Sequence, residues 1–208
     1  MTTYSSRVVS LSASQELQKR VFDLFFSSLG LLVTWWFILA AWLVASFDTR
    51  SNGFFIQKRV GRNGKFFRVV KIKTMSPVAG IDTTATRRGD LRITHVGAFF
   101  RRTKIDELPQ LWNVWVGDMS FVGPRPDVPG FADTLQGETR AMLSLRPGIT
   151  GPATLKYRNE EEILSEQVDP ESYNRQLIWP DKVNINLEYM RNWSLRGDIR
   201  YILETVFH

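Results

Sequence analysis

Residues 21–46 are almost wholly apolar, with charge only at Asp23. As a helix this run reaches about 39 Å, against about 30 Å of bilayer hydrocarbon. It is too long for a signal-peptide core, and residues 1–20 precede it, so cleavage is not expected. Insertion into a membrane is expected. How it inserts is left open by its flanks. Arg7, Lys19 and Arg20 lie before it, and Arg50, Lys58, Arg59, Arg62 and Lys65 after it. Both sides are basic, so the positive-inside rule does not separate a span from a segment that dips into one leaflet and returns. Gly30 loosens a helix, the Thr34 hydroxyl can bond back to a helix carbonyl and bend it, and Trp35 and Trp36 favour a water boundary over the bilayer centre.

The rest of the 208-residue chain is enough for one domain carried by that segment. Residues 54–60 read as a strand, 61–64 as a turn and 65–75 as a second strand whose apolar and basic residues partly alternate. One side of this hairpin is basic and meets either a diphosphate or water. By itself Lys71, on that side, reads as a solvated lysine. Residues 76–90 are polar and hold Pro77 and Gly80, as expected of a loop that closes over substrate. Thr94 is placed to cap a short helix running through Arg102, and residues 129–145 read as a further helix. The turn at 146–151 comes next, then an acidic, exposed stretch at 158–162. A helix is expected over 181–193. Another from Ser194 carries Leu195, Ile199, Ile202, Leu203, Val206 and Phe207, and either lies in the membrane interface or packs on the core.

The chain has a net charge of +6, no cysteine and two histidines, His95 and His208. Disulfides and thiolate zinc sites are excluded, and a metal would be a hard, oxygen-bound ion such as Mg²⁺. The charge suits nucleic acid, anionic lipid or phosphorylated substrates; the apolar run weighs against the first. No dinucleotide-binding glycine fingerprint, Walker A sequence or serine–histidine triad is present.

Chemistry concentrates in residues 101–126, RRTKIDELPQLWNVWVGDMSFVGPRP. Thr103-x-x-Asp106 has the form of a capping box, which predicts a helix from about Lys104 with Asp106 and Glu107 in its first turn. Leu108, Leu111, Trp112 and Trp115 then share a buried face. A carboxylate so placed stays ionised at neutral pH. It can cap the helix, hold Mg²⁺ or attack phosphorus. Arg101, Arg102 and Lys104 lie just upstream, and Arg125 sits in the Gly-Pro-Arg-Pro turn. Cations around paired carboxylates suit a phosphate ester with its metal, and suit a surface ion-pair cluster equally.

Three stretches together resemble the bacterial small monotopic phosphoglycosyl transferases, also called bacterial sugar transferases. They are Arg-x-Thr-Lys-x-Asp-Glu-Leu-Pro-Gln from Arg101, Gly-Asp-Met-Ser-x-Val-Gly-Pro-Arg-Pro from Gly117, and Arg-Pro-Gly-Ile-Thr-Gly from Arg146. The resemblance runs from about Lys19 to the C-terminus. It implies an α/β fold: a small, mostly helical domain with a β-hairpin, on an N-terminal re-entrant membrane helix, with amphipathic interface helices. The implied organisation is a flank at 1–18, the re-entrant helix at 19–48 and a cytoplasmic catalytic domain at 49–208, in stand-alone form without a preceding transmembrane bundle. It lies at the cytoplasmic face of the bacterial inner membrane.

The implied reaction moves a sugar 1-phosphate from a UDP-sugar to undecaprenyl phosphate and releases UMP, as the first membrane step of polysaccharide assembly. Asp106 is the nucleophile and, with Glu107, the Mg²⁺ site; Lys71, Arg101 and Arg125 bind substrate phosphate. Membrane lipids are partners and nucleic acid is not. Neither the sugar nor the oligomeric state is indicated, although the loop at 76–90 and the segment after Gly151 are both placed to contact a hexose. The chain departs from the family twice. A Ser-Pro break is absent from the membrane segment, which reads Leu32-Val33-Thr34-Trp35-Trp36, and Asn186 stands where the family often has aspartate. A non-catalytic scaffold of a glycan assembly complex is the alternative; a membrane-anchored binder of nucleic acid or lipid would leave Asp106-Glu107 beside Arg125 unexplained.

Overall fold

The computed structural model describes residues 10–76 and 90–207. The loop expected to close over substrate falls on residues 77–89 and so lies outside the described residues, as do Arg7 and His208. The fold is mostly helical, with two small sheets.

Helix α1, Ala13–Thr49, begins before the expected boundary at residue 19. A sequence signal explains the earlier start. Ser12 caps it through the Gln15 N–H at 3.3 Å, and the Gln15 side chain accepts the Ser12 N–H at 2.9 Å. The helix then runs unbroken for 37 residues. Thr34 Oγ1 donates to the Gly30 carbonyl at 2.7 Å, the back-bond its sequence position suggested. Leu32, Trp35 and Phe47 are exposed, and the helix is long and apolar enough to cross a membrane. An uncovered apolar surface of that length belongs in lipid.

Strands β1, Phe54–Val60, and β2, Phe66–Ile72, form the expected antiparallel hairpin, with Phe54 opposite Ile72 and Val60 opposite Phe66. Its buried side chains join it to its neighbours. Ile72 packs with Ala41 and Ala45 of α1 and Phe100 of α2, His95–Thr103. Val69 packs with Val114 of α3, Gln110–Val116, and with Met119. Burying each such side chain contributes about 1.5–3 kcal/mol. The expected cap on α2 is present, with Thr94 Oγ1 accepting the Gly97 N–H at 2.8 Å.

Strands β3, Ser120–Val122, and β4, Gly148–Thr150, pair in parallel. The helix expected at 129–145 is not formed. Two short 3₁₀ turns, Ala132–Thr134 and Gly137–Ser144, occupy the stretch instead. Gly130 and Gly137 take φ of +100° and +56°, left-handed values that a continuing α-helix excludes. Short helices α4, Pro152–Lys156, α5, Glu160–Ser165, and α6, Pro170–Tyr173, lead to α7, Trp179–Arg191, and α8, Leu195–Phe207. The main core gathers Val60, Val122, Met142, Leu187, Met190 and Trp193.

A buried polar clamp ties α1 to the C-terminal helices. Lys19 Nζ lies 2.5 Å from Asp198 Oδ2 and donates to the Tyr189 hydroxyl at 3.1 Å. Tyr189 donates to Asp198 Oδ1 at 2.6 Å, and Trp193 Nε1 to Oδ2 at 3.1 Å. One turn on, Asp23 accepts from Ser120 Oγ and from the Phe121 N–H, both at 3.1 Å.

Candidate active site

The two carboxylates do not open a helix. Lys104 adopts φ +59°, so α2 stops at Thr103 and a separate 3₁₀ turn, Ile105–Glu107, presents Asp106 and Glu107. The Thr103 hydroxyl turns back to the Phe99 carbonyl at 2.8 Å instead of capping a new helix. A left-handed lysine costs about 1–2 kcal/mol; here it aims the chain so that Asp106, though buried, lines a cavity together with its neighbours. Helix α3 starts only at Gln110 and buries Leu111 and Val114; Trp112 and Trp115 are exposed and stacked, ring centroids 5.2 Å apart. The expected apolar face is thus rotated by the later start.

Lys71 reaches this turn from β2. Its Nζ lies 2.9 Å from Glu107 Oε1, across 36 residues of sequence. Asn113 of α3 fixes the strand. Its Nδ2 donates to the Arg68 carbonyl at 2.8 Å and its Oδ1 accepts the Val70 N–H at 3.0 Å, so one side chain pairs with the free edge of β2. Helix α3 is held in turn by α1, where Arg20 donates to the carbonyls of Val114 and Trp115, both at 2.7 Å.

Arg125 arrives on a welded pair of turns. The Gly123 N–H donates to the Thr150 carbonyl at 2.9 Å, and the Gly148 N–H to the Pro124 carbonyl at 2.8 Å. A Cβ at Gly123 would stand 2.3 Å from the Arg146 carbonyl oxygen, and one at Gly148 2.2 Å from the Gly123 nitrogen. Only glycine lets these backbones approach so closely. The Gly-Pro-Arg-Pro and Arg-Pro-Gly-Ile-Thr-Gly stretches are therefore two halves of one support.

All five residues singled out from the sequence, Lys71, Arg101, Asp106, Glu107 and Arg125, line one cavity of about 470 Å³. Lys104 joins them, whereas Arg102 lies outside the lining and faces the Phe99 ring. The far side of the cavity brings in residues the sequence reading did not place in a site: Asp127, Thr150, Tyr157, Lys182 and, from α7, Asn186. Asp127 had a signal, since it follows the Gly-Pro-Arg-Pro turn directly. Asn113 had none, because its two partners belong to a strand far away in sequence.

Charge and burial compete across the site. Burial pushes the Asp106 carboxyl above its ordinary value and Glu107 adds to this, against Lys71, Lys104 and Arg101. Burial alone would raise Glu107 too, but Lys71, then Arg125, carry it below the usual range. Burial lowers the Lys71 ammonium, with Glu107 opposing. Desolvation takes Asp127 up to about 7 despite Lys182, Arg125 and Arg59. Asp106 Oδ1 and Arg101 Nη1 are buried polar atoms with no hydrogen-bond partner. Among the described residues no three acidic, histidine or cysteine side chains gather as a metal site. Two carboxylates, one with an unpartnered oxygen, fit the ion that takes few protein ligands and completes its shell with phosphate and water, Mg²⁺.

The family model described as bacterial sugar transferase matches residues 14–208. An undecaprenyl-phosphate glucose phosphotransferase of Komagataeibacter xylinus is 35% identical over 204 residues, covering 94% of this chain and 36% of that protein, so the chain spans about a third of that relative. A UDP-glucose:undecaprenyl-phosphate glucose-1-phosphate transferase of Caulobacter vibrioides is 35% identical over 196 residues, covering 92% of this chain and 69% of its own length. A putative undecaprenyl-phosphate N-acetylgalactosaminyl 1-phosphate transferase of Bacillus subtilis is 40% identical over 148 residues, covering 68% and 79%.

Proposed function

Because the chain belongs to the bacterial sugar transferase family, we propose that it transfers a sugar 1-phosphate from a UDP-sugar to undecaprenyl phosphate, with Asp106 as a covalent nucleophile. The observation that carries this reading is the buried Asp106 carboxyl, one oxygen unpartnered, in a cavity with Lys71, Arg101, Lys104 and Arg125.

An Asp106 oxygen attacks the sugar-linked phosphorus of the donor. The bond from that phosphorus to the bridging oxygen breaks, and UMP leaves with the electron pair. The phosphosugar is held on Asp106 until an oxygen of undecaprenyl phosphate attacks the same phosphorus. The Asp106 oxygen then departs, and the sugar is left on undecaprenyl diphosphate. Splitting one hard displacement into two is the advantage of a covalent route. Arg101 and Arg125 bind phosphate oxygens whose charge changes during each displacement. Lys71 holds Glu107 ionised and in place. Burial leaves the Asp106 carboxylate poorly solvated, which favours its attack once deprotonated. Asp106 and Glu107 are the residues that would hold Mg²⁺, which when bound supplies positive charge against the diphosphate.

The apolar face of α1 brings the site to the level of a lipid phosphate. The flanks suit a span and a re-entrant insertion alike, and the family resemblance favours the second, at the cytoplasmic face of the inner membrane. The relatives' names include glucose and N-acetylgalactosamine, so the family leaves the sugar unassigned. The test is UMP release by the detergent-solubilised chain with Mg²⁺, undecaprenyl phosphate and a panel of UDP-sugars. Release that depends on one sugar and on the lipid, and is lost in Asp106→Asn, is the expected result. Full activity in Asp106→Asn would overturn the assignment.

A further inference from the structure

The cavity has two chemically distinct ends. Around Asp106 the surplus is cationic, as a diphosphate requires. Beyond Arg125 the charges pair with one another. Lys182 lies 2.6 Å from Glu160, Lys156 lies 2.7 Å from Asp181, and the Tyr157 hydroxyl donates to Asp181 at 2.6 Å. Thr150 and Thr205 share a hydroxyl–hydroxyl hydrogen bond of 2.6 Å. Arg158 also lines the cavity here, its Nε donating to the Leu155 carbonyl at 3.5 Å, so this end carries one cation not held by a carboxylate beside its paired groups.

Asn186 is a second exception. It sits on the buried face of α7 between Val183 and Leu187, is 4% exposed and lines the cavity. Its Oδ1 has no hydrogen-bond partner. Leaving a buried amide group unpaired is unfavourable, and a leucine there would have extended the apolar face instead. A side-chain amide carries both a donor and an acceptor, and its two ends exchange by a flip. It therefore matches a hydroxyl, which also does both. Trp179 and Tyr157 line the same cavity, and a sugar ring presents C–H groups to aromatic side chains and hydroxyls at its edge.

We propose that Asn186 is a specificity-determining residue of the transfer, hydrogen-bonding a hydroxyl or acetamido group of the donor's sugar. The inference rests on the transferase reading and names which side chain selects among donors. A buried group built to pair with a hydroxyl discriminates against a donor that misplaces it, because the amide is then left unsatisfied. Of the two regions placed by the sequence to contact a hexose, this favours the part of the chain after Gly151.

The test is kcat/KM from UMP release for UDP-glucose, UDP-galactose, UDP-N-acetylglucosamine and UDP-N-acetylgalactosamine. It uses the full chain with Mg²⁺ and undecaprenyl phosphate, as wild type, Asn186→Ala and Asn186→Asp. The expected result is that the ratio between the best and second-best donor changes at least 10-fold in a variant. The KM for undecaprenyl phosphate stays within 2-fold. The isosteric aspartate keeps the shape of the site should the alanine variant fold poorly. An equal loss for every donor, with the ratio unchanged in both variants, overturns the inference: Asn186 would then support the fold or contact the uridine that all four donors share. A wild type inactive with all four donors counts against the transferase reading itself, and this inference falls with it.

Discussion

The clamp around Asp198 and the cavity around Asp106 are both buried, both charged, and finished to different standards. Each oxygen of Asp198 is bonded, to Lys19, Tyr189 and Trp193. In the cavity, Asp106 Oδ1, Arg101 Nη1 and Asn186 Oδ1 have no partner. A satisfied network inside a fold fixes structure, whereas unpaired polar atoms around a cavity cost stability that a ligand can return. The contrast is not absolute, since Asp23 Oδ2 one turn from the clamp is also unpartnered, but the Asp198 network and the cavity can be attacked independently.

The largest effect is expected in the cavity. Asp106→Asn should lower UMP release by at least about 10³-fold, as removing a nucleophile does, without lowering the melting temperature. A melting temperature several degrees lower would place Asp106 with the structural carboxylates. The opposite pattern is expected at the clamp. Asp198→Ala strands a buried lysine and should cost about 3–5 kcal/mol in stability, read by denaturant unfolding in detergent. Asn113→Ala tests the join between the two regions. Losing its bonds to β2 leaves a strand edge unpaired, at about 1–3 kcal/mol, and should also lower kcat because Lys71 follows Val70. A stability loss with kcat unchanged would show that Lys71 is positioned without it.

A further effect is one of pH. Asp127 is raised from 3.8 to about 7, so between those values the folded state holds a proton that the unfolded state has lost. Stability from this group is therefore full below about pH 4 and is lost as pH rises through about 7. Asp127→Asn cannot ionise, so its melting temperature relative to wild type should rise between pH 5 and pH 8. A difference that stays flat would mean Asp127 titrates as an ordinary carboxyl.

The sequence showed these two regions unequally. The hairpin was readable to the residue at its start because alternation and a Gly-Arg-Asn-Gly turn are local signals. The helices at 95–103 and 179–191 were readable for the same reason, and the carboxylates and their cations were identified from neighbouring residues. Local signals misled at Thr103, where a capping pattern was present but left-handed Lys104 had already turned the chain. They misled again at 129–145, read as a helix that Gly130 and Gly137 interrupt. Nothing local reveals that Asn113 completes a strand edge, or that the turns at Gly123 and Gly148 are pressed back to back. The clamp went unseen because Lys19 and Asp198 stand 179 positions apart.

The arginine contacts from α1 to the end of α3 have a mechanical consequence. Arg20 grips the last carbonyls of the helix that follows the Asp106–Glu107 turn, and the Leu111 side chain of that helix lies against Gly30 one stretch further along α1. The long helix is therefore a ruler with the Asp106 carboxylate fixed at one mark. A bilayer of different thickness tilts or shifts such a helix to match its apolar length. Because the mark moves with the ruler, the height of Asp106 relative to the acyl chains would be set by the membrane as well as by the protein.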